Sequence, residues 1–144
     1  MTTKRRLVGT VRVPLPPDEA FRLFTPLGER DWVDGWQPWF PAATDDDTAP
    51  GTVFRTGSGE DTTIWVVTAR ERGRQIAYAR TTPGAKAGTV TVTLAPADGG
   101  SEASVVYELT ALTDSAAADL DRFAAAYPDF LMSWQEAIAA AGAV

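Results

Sequence analysis

The stretch AGTVTVTLAPADGGSEASVVYELTALTDSAAADLDRFAAAYPDFLMSWQEAIAAA, residues 87–141, decides the fold, because two alternating segments run directly into one long amphipathic helix. Thr89, Thr91 and Thr93 fall on one face of the first segment and Val90, Val92 and Leu94 on the other, the period of a strand with one wet side. After Asp98-Gly99-Gly100 a second segment covers Ser101 to Thr113, and so short a turn makes the two antiparallel neighbours. From Asp114 or Ser115 to Ala141 the spacing changes to threes and fours. Leu120, Phe123, Tyr127, Leu131, Trp134 and Ile138 then form one apolar stripe. The dry face of the sheet needs a cover, and this helix is the obvious one. Pro128 within it lacks a backbone donor and predicts a kink, at about 3 kcal/mol in a regular helix.

Towards the N-terminus three more strand-like segments precede this stretch, Thr52–Gly57, Thr62–Glu71 and Arg74–Thr82. Short turns at Gly57–Asp61, Arg72-Gly73 and Pro83–Lys86 link the five segments, which predicts a meander. A sixth strand is expected at Arg6–Leu15. It is followed by Pro16-Pro17-Asp18-Glu19, where proline suits a first helical turn and the acids suit the positive helix end. The helix begun there should bury Ala20, Phe21 and Phe24, and Thr25-Pro26 should end it. A second short helix is expected near Leu27–Trp32, then an aromatic-packed loop to Pro50 that holds Trp36, Trp39 and Phe40.

Composition narrows the chemistry. The 144 residues fit one domain, 1–144, and include no cysteine and no histidine. That excludes disulfides, thiol nucleophiles, Cys/His zinc sites and histidine relays. Lys plus Arg is 13 and Asp plus Glu is 19, a net charge of −6, which argues against a nucleic-acid partner. Lys4-Arg5-Arg6 is the one basic run, and no apolar stretch of signal-peptide or membrane-spanning length follows it. A cytoplasmic location is expected, with no cofactor and no metal. Asp45-Asp46-Asp47 lacks the spacing, glycine and terminal glutamate of a calcium loop and reads as a solvated turn.

The strings Val13-Pro14-Leu15-Pro16-Pro17-Asp18-Glu19-Ala20-Phe21 and Leu23-Phe24-Thr25-Pro26-Leu27-Gly28-Glu29-Arg30-Asp31-Trp32-Val33-Asp34-Gly35-Trp36 resemble small bacterial members of the START/Bet v 1-like (SRPBCC) superfamily. Gly51-Thr52-Val53-Phe54 and Tyr107-Glu108-Leu109-Thr110-Ala111-Leu112 are similar to that superfamily's second and sixth strands. The groups most resembled are the polyketide cyclase/dehydratase and Hsp90-activator groups. The resemblance implies an α+β helix-grip fold: a curved six-stranded antiparallel sheet around a long C-terminal helix, in the order strand, two short helices, five strands, helix. It also implies an apolar cavity between sheet and helix. Members include lipid and hormone carriers, aromatic polyketide cyclases, oxygenase ligand-binding domains and Hsp90 co-chaperone relatives, and fold alone does not choose among them.

By strand parity Phe54, Trp65, Tyr78, Val90, Val92, Val105, Tyr107 and Leu109 face the helix, which offers Tyr127, Leu131 and Trp134 in return. These side chains either line a pocket or fill the interior. Trp32, Trp36, Trp39 and Phe40 either rim the mouth or plug one end, and plugging is preferred because four exposed rings invite aggregation. Arg80 shares the parity of Ile76 and Tyr78, so its guanidinium could hold a ligand carboxylate or phenolate. The preferred alternative pairs it with Glu60, Glu108 or solvent. Tyr78 and Tyr107 could orient a ligand carbonyl. Glu29-Arg30-Asp31 reads as local ion pairs before an acid/base group, and Gly57-Ser58-Gly59 as a hairpin turn.

No catalytic constellation emerges. The expected function is binding of a small hydrophobic molecule, aromatic, polyketide-like or lipid-like. The competitors are a cyclase/dehydratase-like enzyme, which would need a carboxylate or tyrosine with a burial-shifted pKa, and a protein-interaction domain. A homodimer is compatible with the sequence.

Overall fold

Alternation becomes pairing in every segment expected to be a strand. The computed structural model describes residues 3–142. It has β1 (Lys4–Val13), α1 (Pro17–Ala20), β2 (Val53–Thr56), β3 (Thr63–Glu71), β4 (Gln75–Thr82), β5 (Lys86–Ala97), β6 (Gly100–Ala111) and α2 (Asp114–Ala140). The six strands form one antiparallel sheet in the order β1-β6-β5-β4-β3-β2. The meander is therefore as expected, and β1 returns to pair with β6, Leu7 opposite Tyr107 and Gly9 opposite Val105.

The predicted short helices shrink to single turns. After α1 the chain tightens into 3₁₀ turns at Phe21–Phe24 and Gly28–Asp31. The physical reason is Pro26, which forces Thr25 to an extended backbone (φ −81°, ψ 160°) and so prevents continuation. The expected burial of Ala20, Phe21 and Phe24 holds. β1 also begins and ends two residues earlier than predicted, since Pro14 and Leu15 lie in a bend.

Two local features bend the sheet. The β3–β4 register shifts between Val67 and Ala69, a bulge that sharpens twist. On β5, a Cβ at Gly88 would run into the Glu108 carbonyl of β6, so only glycine permits that approach.

α2 starts at Thr113, whose hydroxyl accepts from the Ala116 N–H at 3.1 Å. It continues through Pro128 without a break in helical structure. The helix lies over β1, and Gly9 explains how closely: a Cβ there would overlap Leu131 Cδ1 and sit 3.4 Å from Tyr127 Cε2. Rings of the insert cover the other half of the concave face, with Trp36 5.5 Å from Trp65 and Phe40 5.5 Å from Phe54. Phe24, Trp32 and Trp134 meet where the two covers join. Among the described residues no helix is long and apolar enough to cross a membrane.

Candidate functional site

Strand parity delivers its residues to one side. Phe54, Trp65, Tyr78, Val90, Val92, Val105, Tyr107 and Leu109 are all buried on the concave face, and Tyr127 and Leu131 are buried against it from α2. Trp134 is half-buried and packs 6.4 Å from Tyr107 and 5.2 Å from Trp32. Two ring groups result. One stacks Phe54 on Trp65 (5.8 Å, 2°) with Tyr78 edge-on, and the other gathers Tyr107, Phe123, Tyr127 and Phe130.

The insert tryptophans divide. Trp32 donates from Nε1 to the Leu23 carbonyl and Trp36 to the Pro26 carbonyl, each at 2.7 Å, so both indoles are fixed as closures, with Phe40 beside Phe54. Trp39 is neither rim nor plug. It is 52% exposed, pairs its backbone with Arg55, and holds the Arg55 guanidinium carbon 4.1 Å above its ring. Arg55 is itself exposed on β2, and the cation–π contact draws Trp39 to the outside.

The polar groups of this face carry most of the information. Tyr78 donates to the Phe24 carbonyl at 2.7 Å and Tyr127 to the Val105 carbonyl at 2.8 Å. The Tyr107 hydroxyl has no such partner among the described residues, although the residue is only 7% exposed. Burial raises its pKa well above the usual phenol value, the Glu29 charge adds to the rise, and Arg80 opposes it.

Of the partners expected for Arg80, neither acid is met, while solvent remains open to it because the residue is only half-buried. Glu108 lies by Arg6, at 3.5 Å, and neither Glu108 nor Glu60 reaches Arg80. Its Nη2 donates to Thr82 Oγ1 at 2.8 Å, its guanidinium carbon is 5.2 Å from the Trp65 ring centroid, and its Nε is buried with no acceptor. Burial lowers its pKa. Lys86 shares the concave parity of β5, with its ammonium 5.5 Å from the Phe123 ring. Burial and then the Arg80 charge lower its pKa, against Asp119.

Glu29 is the residue that strand reasoning missed. It forms none of the local ion pairs expected with Arg30 among the described residues. Instead it lies in the 3₁₀ turn Gly28–Asp31, and burial raises its pKa well above 4.5. Its charge raises the pKa of both Tyr78 and Tyr107, as the Asp47 charge raises that of Tyr78.

Two hollows flank this interior. A cleft of about 320 Å³ is lined by Trp32, Val33, Asp34, Phe130, Ser133, Trp134 and Ala137, the two indoles forming its inner wall. A hollow of about 620 Å³ lies outside the insert, against Asp18, Arg22, Asp46 and Arg72. Asp46 there is not a free solvated carboxylate. It accepts from Arg70 at 2.6 Å, Arg72 at 2.9 Å and Thr48, and the Arg70 bond leads in lowering its pKa from 3.8 to about 2. It ties the loop to β3.

Comparison with solved structures agrees with this architecture. A Mesorhizobium loti protein matches with TM-score 0.68 at 18% identity, over 93% of this chain and 96% of that one. Ara h 8.0201 matches with TM-score 0.67 at 14% identity, over 95% and 99%. DynU16, from the dynemicin biosynthetic locus, matches with TM-score 0.60 at 18% identity, over 94% of this chain but 47% of its own. These likenesses establish the Bet v 1-like helix-grip fold. No curated protein matches the chain. Residues 4–131 match the family described as polyketide cyclase / dehydrase and lipid transport, and the chain belongs to that family.

Proposed function

We propose that the chain binds a small hydrophobic molecule, aromatic or lipid-like, between the concave face of β3–β6 and α2. The observation that carries this reading is the Tyr107 hydroxyl. Buried polar groups are almost always satisfied, as those of Tyr78 and Tyr127 are. A third tyrosine at the middle of an apolar face makes no hydrogen bond among the described residues, and since Arg80 Nε is the one enclosed side-chain atom there without a partner, the Tyr107 hydroxyl borders open space where a group arriving from outside can meet it. Trp134 and Phe130 are only half-buried and border the 320 Å³ cleft, so they are the rings that would move to admit it.

Thermal denaturation against a panel of apolar compounds tests the reading. A ligand at a hundredfold excess over its Kd adds about 2.7 kcal/mol. With an unfolding entropy of about 0.3 kcal/mol/K for a chain of this size, Tm should rise by about 9 °C. A panel of fatty acids, alcohols, naphthalenes and flavonoids that leaves Tm unmoved overturns the proposal.

Glu29 favours one other reading, a cyclase- or dehydratase-like enzyme. A carboxyl whose pKa is raised by burial, and whose charge acts on two tyrosines, is a candidate to give a proton to a carbonyl oxygen. Loss of water from a poly-β-ketone probe, seen with the native chain and absent with Glu29→Gln, would support it. An unchanged probe would refute it.

A further inference from the structure

We infer that the bound molecule carries a carboxylate, and that Arg80 receives it at the β4–β5 end of the concave face. This rests on the ligand-binding reading above and adds the chemical class.

A guanidinium has five N–H donors and in protein interiors is normally met by a carboxylate. Arg80 takes part in no ion pair among the described residues, only Nη2 meets an acceptor, and Nε is buried with none. The carboxylate nearest in the ladder, Glu108, points to the other face and Arg6. In a chain of net charge −6, a cation on the concave face without a carboxylate of its own is a specific arrangement rather than a shortage of acids.

The group is also held in place. Thr63 and Thr82 share a hydrogen bond of 2.6 Å between their hydroxyls, and Thr82 accepts from Arg80 at 2.8 Å. The Trp65 ring lies against the guanidinium. Held on one edge by Thr82 and on one face by indole, the half-buried Arg80 keeps Nη1 without an acceptor among the described residues and, unlike Nε, not enclosed, so the Nη1–Nη2 edge is the fork open to a ligand. Planar carboxylate is the group whose two oxygens match such a fork.

A second cation stands beside it. Lys86 pairs with Thr82 across the β4–β5 ladder, so its ammonium rises from the same end of the same face. It too has no ion pair among the described residues, and its stem leads to Phe123. Asp119, the acid that acts on Lys86, is paired with Arg122 instead. The site is therefore positive at one end and aromatic along the rest, which fits an apolar body with one acidic head.

The test compares matched probes by calorimetry or fluorescence displacement: dodecanoic acid with dodecanol, and 2-naphthoic acid with 2-naphthylmethanol, at pH 7.5. The acids should bind the native chain about 10- to 100-fold more tightly than the alcohols. Arg80→Gln should abolish that preference and leave the alcohols within about threefold, while Arg80→Lys should keep part of it. Equal binding of acid and alcohol to the native chain overturns the carboxylate assignment and leaves hydrophobic binding standing. An acid preference that survives Arg80→Gln intact overturns the role of Arg80. Binding of neither class overturns the proposed function and this inference with it. Should Arg80→Gln not fold, the native comparison and Arg80→Lys still decide the matter.

Discussion

Replacing each of three tyrosines by phenylalanine separates a hydroxyl used by the fold from one kept for a ligand. Tyr78→Phe strips the Phe24 carbonyl of a 2.7 Å bond, and Tyr127→Phe strips the Val105 carbonyl of a 2.8 Å bond. Each change forfeits a net hydrogen bond of about 1 kcal/mol and leaves an acceptor short of a partner, for a total of about 1–3 kcal/mol. With an unfolding entropy near 0.3 kcal/mol/K this is a fall in Tm of about 3–10 °C. Tyr107→Phe removes a hydroxyl that the chain does not use, so its stability should stay within about 0.5 kcal/mol, a Tm change under about 2 °C. The order should reverse in binding, where Tyr107→Phe weakens a carbonyl- or carboxylate-bearing probe by about 2- to 10-fold. Scanning calorimetry of the four proteins, with and without probe, reads both quantities. If Tyr107→Phe destabilises the free protein as much as the other two, its hydroxyl has a structural partner and the reasoning fails.

The α2–β1 contact is tested by Gly9→Ala, whose methyl meets Leu131 and Tyr127, both buried; overpacking of this kind should lower stability by about 1–3 kcal/mol in urea titration, and a neutral result would mean that α2 does not dock there. Phe54 is 0% exposed and touches four rings, so Phe54→Ala should cost about 3–5 kcal/mol; a loss below about 1 kcal/mol would show that this half of the interior is not packed. Glu29 gives a pH signature. Its folded-state pKa is raised above 4.5, so the folded chain holds the proton more tightly than the unfolded one. The stability this contributes is complete below about pH 4.5 and is lost as pH rises through the folded value. Glu29→Gln should remove that loss, so the Tm of the variant relative to the native chain increases from pH 4.5 to 8; a difference independent of pH would place Glu29 in water.

How much of this was legible beforehand follows from geometry. In a strand the backbone alone sets side-chain direction, so the alternation of Thr89–Leu94 and its counterparts located Phe54, Trp65, Tyr78, Arg80, Val92 and Tyr107 on one face without any knowledge of distant contacts. The helix stripe placed Tyr127 and Leu131 by the same logic. What parity could not supply was the partner of each polar group. For Glu108 parity was enough, since it lies between Tyr107 and Leu109 and so faces away from Arg80 toward Arg6 across the β1–β6 ladder, but the bond from Arg80 to Thr82 and the missing acceptor at Nε could not be read that way. The insert has no period at all. Trp36 and Trp39 are three residues apart, yet one is held half-buried by a bond to the Pro26 carbonyl and the other is drawn outward by Arg55, ten and sixteen residues away in sequence.

Glu29 nevertheless had a local signal, and it lies in the string that carried the family resemblance. Thr25 donates from its hydroxyl to the Arg22 carbonyl at 2.9 Å and accepts from the Gly28 N–H at 3.0 Å, which folds the chain back on itself around Pro26. A Cβ at residue 28 would strike that same Arg22 carbonyl, so the turn closes only on glycine. Leu23 and Pro26 then offer their carbonyls to the indoles of Trp32 and Trp36. Thr25, Pro26 and Gly28 thus serve to make one tight turn, and the residue that leaves the turn is Glu29. A segment this constrained is more than is needed to seat two surface charges. The constraint makes sense if its purpose is to fix one carboxyl where its charge acts on Tyr78 and Tyr107, and the Glu29→Gln pH comparison tests that burial.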